Sequence, residues 1–147
     1  MSTPISALLE RKGSAVRSVS AASTVAEAVA EMNRHRIGCV VVLDGERLVG
    51  IFTERDVLQR VVGGGIDPQG RCITDVMSRD PITISPEATI DDVMTLFTDR
   101  RCRHLPVVAK GRLLGLISIG DVTRWMVDTH RAEAEHLKNY IAGGLPT

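Results

Sequence analysis

Two segments of the chain share a spacing of i, i+3, i+4 and i+7 between apolar residues. The eight positions are Val25, Ala28, Val29, Met32, Ile90, Val93, Met94 and Phe97. This spacing forms an apolar stripe along one side of a helix that packs on a larger surface. Thr24 and Thr89 each precede a stripe and have an acidic residue three positions later, which is typical of a capping box. The pattern predicts helices that start there and end near Arg34 and Asp99.

Short apolar runs rich in β-branched residues follow both predicted helices and indicate buried strands. The predicted strands cover residues 16–19, 39–43 and 47–52 in the first half, and 82–84, 105–108 and 112–117 in the second. The sequences at 44–46 (DGE) and 110–111 (KG) have the composition of hairpin turns. A second helix is predicted directly after residues 52 and 117. Each half therefore has the order strand, helix, strand, strand, helix.

The halves align without a gap at an offset of 65 residues. Identical pairs include Thr24/Thr89, Arg36/Arg101, Val42/Val107, Arg47/Arg112, Leu48/Leu113, Gly50/Gly115, Asp56/Asp121 and Val57/Val122. Because even an independent 60-residue domain buries only about 60% of its unfolded surface, we expect the halves to pack on each other. The predicted division is an N-terminal segment over 1–13, repeat 1 over 14–62, a flexible glycine-rich linker over 63–72, repeat 2 over 73–127, and a C-terminal helix and tail over 128–147.

The composition excludes several classes of protein. The 147 residues contain 18 Lys+Arg and 18 Asp+Glu, so the formal net charge is zero, which argues against nucleic acid or an anionic membrane as the main partner. The chain has one Trp, one Tyr and two Phe, too few for a base-stacking platform. Three scattered cysteines do not make a complete disulfide framework and favour a reducing cytoplasm. We expect no secretory signal and no membrane-spanning segment.

Several motifs occur in a fixed order. In the second half they are residues 75–77 (DVM), 82–86 (ITISP), 103–108 (RHLPVV) and 115–121 (GLISIGD). The first half carries the related sequence GIFTERD over residues 50–56. These motifs resemble those of the CBS domain, named after cystathionine β-synthase, over about residues 14–127. The whole is similar to small stand-alone bacterial and archaeal proteins that consist of one CBS pair.

The resemblance implies an α+β fold of two tandem CBS repeats, each a small sheet with helices on one face, packed with pseudo-twofold symmetry. It also implies a regulatory sensor rather than a catalyst, with no catalytic cofactor. No metal is expected, because His35, His130 and His136 show no metal-ligand spacing with the cysteines. CBS pairs bind adenosine-containing ligands, namely AMP, ADP, ATP, NAD or S-adenosylmethionine, in clefts between the repeats. We expect a cytoplasmic homodimer that signals to an unidentified protein partner by conformational change, through a population shift.

The family motif assigns ligand contacts to a Ser/Thr and an Asp after the third strand, which match Thr53 and Asp56 in repeat 1, and Ser118 and Asp121 in repeat 2. A carboxylate can accept hydrogen bonds from two neighbouring ribose hydroxyls. The hydroxyls, with free backbone N–H groups at the helix start, can receive phosphate oxygens. The same spacing is also an ordinary capping box, which is the alternative interpretation.

The two clefts are expected to differ. Repeat 2 has Arg103 and His104, and the resemblance implies that a basic residue here meets phosphates, for which an Arg fork is suited. Repeat 1 has Gly38 and Cys39 at these positions. We therefore expect the second cleft to hold the ribose at Asp121 and the phosphates at Arg103. The alternative for Arg103 is an exposed surface charge.

Other residues leave further alternatives. Arg55 is a weaker phosphate candidate, equally compatible with a solvated position. Cys39 or His104 could serve a nucleotide-processing enzyme, although core packing is the simpler role for Cys39. A scaffold or interaction dimer with vestigial clefts is the other alternative. Apolar positions on a helix over residues 119–141, ending with Leu137, Tyr140 and Ile141, could cover a second subunit, with an interruption or a solvated stretch between 128 and 136.

Overall fold

The computed structural model describes residues 2–13 and 15–144, with side chains up to residue 139. Its helices and strands, in chain order, are α1 (Ile5–Lys12), β1 (Ser18–Ser20), α2 (Val25–His35), β2 (Cys39–Asp44), β3 (Arg47–Thr53), α3 (Glu54–Asp56), β4 (Ser78–Arg79), α4 (Ile90–Arg100), β5 (His104–Ala109), β6 (Arg112–Ser118) and α5 (Ile119–Gly144). A π-helix over Val57–Val62 continues α3, and a 3-10 turn covers Ile73–Asp75. The fold is α+β, as predicted.

The predicted capping boxes start α2 and α4. The backbone N–H of Glu27 donates to Thr24 Oγ1 over 3.1 Å, and that of Asp92 donates to Thr89 Oγ1 over the same distance. Both helices extend one residue beyond the predicted end. Each then stops at an arginine in the left-handed conformation, Arg36 with φ 52° and Arg101 with φ 51°. The two repeats therefore share both the start and the end of this helix.

The strands form two sheets that contain the same hairpin. In the larger sheet the order is β1-β2-β3-β4, with β1 parallel to β2 and the other neighbours antiparallel. The smaller sheet consists of β5 and β6. Both hairpins have a register shift one residue after a valine that pairs with a glycine, Val42 with Gly50 and Val107 with Gly115. The predicted strand at 82–84 is reduced to a single parallel bridge between Ile84 and Val107.

Each repeat is completed by a segment that precedes the other one. Residues buried in the repeat 1 core include Val25, Phe52 and, from beyond the glycine-rich connection, Ile73, Val76 and Met77. The repeat 2 core contains Ile90, Leu105 and Ile117 together with Ile5, Leu8 and Leu9 of α1. The N-terminal segment thus packs on repeat 2, and the segment over 73–79 packs on repeat 1. The packing crosses the sequence boundaries of both repeats.

The segment predicted as a flexible linker is hydrogen-bonded to the start of α2. The N–H of Val25 donates to the carbonyl of Arg71 over 2.9 Å, and that of Ala26 donates to the carbonyl of Pro68 over 2.8 Å. These carbonyls satisfy N–H groups that a helix start leaves without intrahelical acceptors. The connection is therefore part of the packed structure of repeat 1.

Helix α5 continues beyond repeat 2 without the interruption that the sequence left open. Residues 130–139 are all exposed, so the solvated alternative is confirmed for this stretch. Val127 and Leu137 are exposed apolar side chains on it. The side chains of Tyr140 and Ile141 lie outside the described residues, as does the tail over 145–147.

Candidate functional site

A cavity of about 470 Å³ lies between the two repeats. Repeat 1 contributes the residues at the end of β3 and in α3, and repeat 2 contributes the segment between α4 and β5. Its lining includes Gly38, Ile51, Thr53, Glu54, Arg55, Asp56, Leu58, Ser78, Arg100, Arg101, Arg103 and His104. We call this space the Asp56 cavity. It brings together six of the nine residues singled out from the sequence, while Cys39, Ser118 and Asp121 do not line it.

Asp56 is the buried carboxylate of this cavity, with 5% of its surface exposed. Its Oδ2 accepts hydrogen bonds from the Thr53 backbone N–H at 3.0 Å and from the Thr53 hydroxyl at 3.2 Å. The Ser78 hydroxyl donates to Asp56 Oδ1 over 3.1 Å, and Arg60 Nε lies 3.6 Å from the same oxygen. Thr53 and Asp56 therefore form a capping box, as their spacing indicates.

The backbone N–H groups at the start of α3 are less available than the sequence analysis expected. The N–H of Glu54 donates to the carbonyl of Gly38 over 3.0 Å, and that of Asp56 donates to Thr53 Oγ1 over 3.2 Å. Repeat 2 uses the same arrangement, since the N–H of Ile119 donates to the carbonyl of Arg103 over 2.9 Å. The expectation that these N–H groups are free is wrong for Glu54, Asp56, Ile119 and Asp121. Their acceptors are the carbonyls of the residues just before β2 and β5 and the hydroxyls of the two caps.

Asp121 has the same cap but a different neighbour. The Ser118 backbone N–H donates to Asp121 Oδ2 over 2.8 Å, and the Asp121 N–H donates to Ser118 Oγ over 3.0 Å. Lys12, the last residue of α1, places its Nζ 2.5 Å from Asp121 Oδ2 and 2.6 Å from the carbonyl oxygen of Leu116. Burial alone raises the pKa of Asp121, but Lys12 and the Ser118 N–H outweigh burial and hold that pKa below its usual 3.8. Asp121 is thus an ionised carboxylate already paired with a cation.

Asp121 and Arg103 do not share a cavity, which corrects the expected pairing of these two residues. Asp121 lines a separate cavity of about 330 Å³ beside α1 and α5, together with Lys12 and Arg124. Arg103 lines the Asp56 cavity. The backbone of Arg103 is bonded to the start of α5, since its carbonyl accepts from the Ile119 N–H, but Arg103 lines the cavity together with residues of repeat 1. The phosphate candidate of repeat 2 therefore faces the ribose candidate of repeat 1.

Arginines outnumber carboxylates in the lining of the Asp56 cavity. Arg55, Arg100, Arg101 and Arg103 line it, together with the carboxylates of Glu54 and Asp56. All four arginines are exposed, and Arg55 Nη1 donates to the Arg101 carbonyl across the two repeats over 3.2 Å. From the sequence, Arg55 and Arg103 were selected as phosphate candidates, and Arg100 and Arg101 were not. Ser78 and Lys12 were missed entirely, because no local pattern connects them with a carboxylate far away in the chain.

Cys39 and His104 occupy corresponding positions and have opposite protonation preferences. Cys39 is 3% exposed, and burial, with the nearby Asp56 charge, raises the pKa of its thiol to about 12. The thiol donates to the carbonyl of Val40. The core interpretation of Cys39 is confirmed, and a protonated buried thiol is a poor nucleophile. Burial and the Lys12 charge lower the pKa of His104 below 6.5, so His104 offers the cavity a neutral ring at neutral pH.

The described residues contain neither a metal-binding cluster nor a membrane-spanning helix. Over residues 2–13 and 15–144, no three His, Cys, Asp or Glu side chains are grouped as a metal site requires. Within the same ranges, no helix combines the length and the apolar character needed to cross a membrane.

The chain is similar to proteins that contain CBS domains. A family model for the CBS domain matches residues 13–63 and 73–128. The mitochondrial CBS domain-containing protein CBSX3 of Arabidopsis thaliana is 36% identical over 152 residues, which cover 97% of this chain and 74% of that protein. The crystal structure of the CBS-domain containing protein ATU1752 from Agrobacterium tumefaciens is 38% identical with a TM-score of 0.80, covering 84% of this chain and 99% of that one.

A third similar structure contains a ligand. It is the CBS domain protein PAE2072 from Pyrobaculum aerophilum complexed with AMP, which is 27% identical with a TM-score of 0.72. The match covers 80% of this chain and 88% of that chain. The fold is thus shared with proteins from distant organisms.

Proposed function

The chain belongs to the CBS-domain family, and we propose that this regulatory module is a non-catalytic sensor that binds an adenine nucleotide in the Asp56 cavity. The observation that carries the proposal is the composition of that cavity. It combines a buried carboxylate, aliphatic wall residues and a group of arginines drawn from both repeats. The AMP complex of the similar Pyrobaculum protein supports a nucleotide as the ligand class.

The ribose is assigned to Asp56. Its partner Ser78 is a neutral hydroxyl that can turn away or accept a hydrogen bond in return. Ribose hydroxyls are groups of the same kind, so the carboxylate can exchange the serine for the ligand without losing a charged partner. Hydrogen bonds to an ionised acceptor are among the stronger ones in proteins.

The adenine is assigned to the aliphatic part of the wall. Ile51 and Leu58 line the cavity, and its described lining contains no Phe, Tyr or Trp. Leu58 is 68% exposed, so an adenine ring packed on it would remove apolar surface from water. The base would lie between aliphatic side chains rather than in an aromatic clamp.

The phosphates are assigned to the arginines of the cavity. Its lining contains four guanidinium groups and two carboxylates, and one of these carboxylates would be occupied by the ribose. Arginine offers paired N–H donors that fit phosphate oxygens. The excess of positive charge favours ADP, ATP or a dinucleotide over AMP, since these carry more phosphate charge. His104, being neutral, supplies hydrogen bonds rather than charge.

Binding at this position gives a mechanism for signalling. The ligand would contact Asp56 in repeat 1 and Arg103 in repeat 2 at the same time. A ligand that contacts both repeats favours the arrangement in which they are close, by its difference in affinity for the two arrangements. This change in the arrangement of the repeats would be transmitted to the second subunit of a homodimer and to an unidentified protein partner. We also propose a cytoplasmic location.

The test is isothermal titration calorimetry with ATP, ADP, AMP and NAD. Asp56→Asn keeps the shape of the side chain but removes its charge, and Asp121→Asn is the matched control in repeat 2. Because hydrogen bonds to charged groups contribute about 1.5–3 kcal/mol each, Asp56→Asn should weaken binding about 10-fold to 100-fold. Arg103→Ala should weaken ATP more than AMP, and Asp121→Asn should change neither.

Two outcomes would contradict the proposal. If wild-type protein binds none of the four nucleotides, the scaffold alternative with vestigial clefts replaces the sensor. If the protein converts a nucleotide, and His104→Ala abolishes that turnover, the chain is an enzyme. An unchanged affinity in Asp56→Asn would leave a binding protein but move the site elsewhere.

A further inference from the structure

The carboxylates of the two repeats differ in the kind of partner that they have. The hydrogen bond to Asp56 Oδ1 comes from the Ser78 hydroxyl, which is neutral and can both donate and accept. Arg60 lies farther away, with Nε 3.6 Å from this oxygen, and its Nη1 donates to the Met77 carbonyl. Asp121 receives the ammonium of Lys12, which only donates and which neutralises the carboxylate. A ribose hydroxyl can replace a serine hydroxyl one for one, but it cannot replace a positive charge. The same capped aspartate is therefore differently available in the two repeats.

Lys12 is held in place by the packing of α1. Ile5 and Leu8 are buried in the repeat 2 core, at 0% and 3% exposure. The backbone joins this anchoring, since the N–H of Ile90 donates to the carbonyl of Thr3 over 2.9 Å. Because the helix is fixed, the ammonium stays within reach of Asp121 even when its side chain moves away. An attached group of this kind has a high effective concentration compared with a free ligand.

Arg11, the residue before Lys12, also attaches α1 to α5. Arg11 Nη2 donates to Asp128 over 2.9 Å, and its guanidinium lies 5.4 Å from the centre of the Trp125 ring. Both partners are on α5, the helix that starts beside Asp121. The last turn of α1 is therefore joined to α5 by two neighbouring basic residues.

The other basic residues beside Asp121 are Arg11, which is paired with Asp128, and Arg124. Repeat 1 supplies no arginine at the position that Arg103 occupies in repeat 2. Gly38 and Cys39 occupy the positions that correspond to Arg103 and His104. Gly38 has no side chain, and Cys39 is buried and protonated. A nucleotide with its ribose at Asp121 would displace Lys12 without gaining an arginine from this position.

We propose that Lys12 is an internal ligand of Asp121 that closes this site to nucleotides, so that each chain binds one nucleotide, at Asp56. The proposal rests on the proposed function and adds its stoichiometry and the residue that sets it. Lys12 acts here by occupying the carboxylate, and it leaves the Asp56 cavity unchanged. Removal of the Lys12 charge should make Asp121 available to a second nucleotide.

The experiment measures nucleotides bound per chain by calorimetry and by native mass spectrometry. Lys12→Met is the test variant, because methionine stands at the corresponding position 77 and has a similar helix propensity. Lys138→Met, on the exposed part of α5, is the matched control. Wild type and Lys138→Met should bind one nucleotide, and Lys12→Met should bind a second one more weakly. Adding Asp121→Asn to Lys12→Met should return the count to one.

A second measurement needs no nucleotide. The pKa of the Asp121 carboxyl, followed by NMR, should rise in Lys12→Met and stay the same in Lys138→Met. Two nucleotides on the wild-type chain, or one on a folded Lys12→Met chain, would overturn the proposal, as would an unmoved Asp121 pKa. If wild type binds no nucleotide, the proposed function fails, and the NMR titration still decides whether Lys12 holds Asp121.

Discussion

Repeat 1 and repeat 2 share several backbone features and differ in what lies beside the corresponding carboxylates, Asp56 and Asp121. The helix caps, the left-handed helix ends and the hairpin register shifts occur at equivalent positions. Beside Asp56 lies β4, which supplies the Ser78 hydroxyl, and beside Asp121 lies α1, which supplies the Lys12 ammonium. Helix α1 adjoins repeat 1 in sequence but packs on repeat 2, and residues 73–79 adjoin repeat 2 but pack on repeat 1; we call these two the exchanged segments. They give the two sites different chemistry, although the duplicated elements around the sites are retained.

The exchanged segments are attached in similar places by different groups. In repeat 1, Arg60 Nη1 donates to the carbonyl of Met77 over 2.7 Å. The position that corresponds to Arg60 is Trp125, which lies under the guanidinium of Arg11. In repeat 1 the cation, Arg60, is on the helix that follows β3, and it contacts the exchanged segment. In repeat 2 the cation, Arg11, is on the exchanged segment α1, and it contacts helix α5.

The largest expected effect comes from removing the apolar anchor of each exchanged segment. Leu8 and Ile73 are buried at corresponding positions, and truncation of such side chains to alanine costs about 2–5 kcal/mol. Leu8→Ala and Ile73→Ala should both lower the free energy of unfolding by this amount in urea titrations. Only Leu8→Ala should shift the native emission of Trp125, the single tryptophan, which packs against the repeat 2 core.

That pair of variants also tests the exchange itself. If Leu8→Ala changes the unfolding free energy by less than about 1 kcal/mol, helix α1 does not complete the core of repeat 2 in solution. An emission shift of equal size in Ile73→Ala would show that Trp125 does not distinguish the two repeats.

A smaller change in unfolding free energy is expected from substituting the corresponding glycines of β3 and β6, Gly50 and Gly115. A Cβ on Gly50 would lie 2.5 Å from Met77 Sδ and 2.8 Å from the backbone oxygen of Ser78. A Cβ on Gly115 would lie 2.6 Å from a methyl carbon of Leu9, which can rotate away. Gly50→Ala should therefore cost about 1–3 kcal/mol of unfolding free energy, as overpacking does. Gly115→Ala should cost less.

The same urea titrations check this order, and nucleotide titration adds a second criterion. Gly50→Ala displaces Ser78, so it should also alter affinity at Asp56, whereas Gly115→Ala should not. Equal costs for the two substitutions would mean that β4 yields as easily as the Leu9 side chain.

At neutral pH the smallest effect comes from the corresponding positions Cys39 and His104, which act mainly at acid and alkaline pH. Folding lowers the pKa of His104 below 6.5, so the unfolded chain takes up this proton first as the pH falls. His104 therefore makes stability decline as the pH drops below 6.5. Folding raises the pKa of Cys39 from 9.0 to about 12, so Cys39 makes stability decline as the pH rises above 9.

Unfolding free energies measured against pH check both directions. His104→Gln should flatten the decline below pH 6.5 and leave the alkaline side unchanged. Cys39→Ala should flatten the alkaline side only. Parallel acid profiles for wild type and His104→Gln would show that His104 titrates alike in the folded and unfolded chains.

The elements of the fold were predictable because their signals are local. Thr24 and Thr89 mark helix starts through contacts only three residues away, and these contacts are present. Apolar runs in β2 and β5 are buried as their composition indicates. The strand near 82–84 was overestimated, since only Ile84 forms a bridge. A periodic pattern indicates which residues become buried, but it carries no signal for how many backbone pairs form.

The grouping of the candidate residues was only partly predictable. Thr53 and Asp56 could be placed together from the sequence, because a cap joins residues three positions apart. Arg103 was expected beside Asp121 but lines the cavity of Asp56, since its neighbours depend on how repeat 2 packs against repeat 1. Ser78 and Lys12 gave no signal at all.

The sequence alone determined the duplication, the helix caps, the hairpins and a pair of capped aspartates, because each depends on neighbours in the chain or on composition. The tertiary structure decided that α1 packs on repeat 2 and that residues 73–79 pack on repeat 1. That exchange places Lys12 on Asp121 and leaves Asp56 with Ser78 and the arginines of the other repeat. The physical reason is that burial selects an apolar surface of suitable shape, wherever in the chain that surface was encoded.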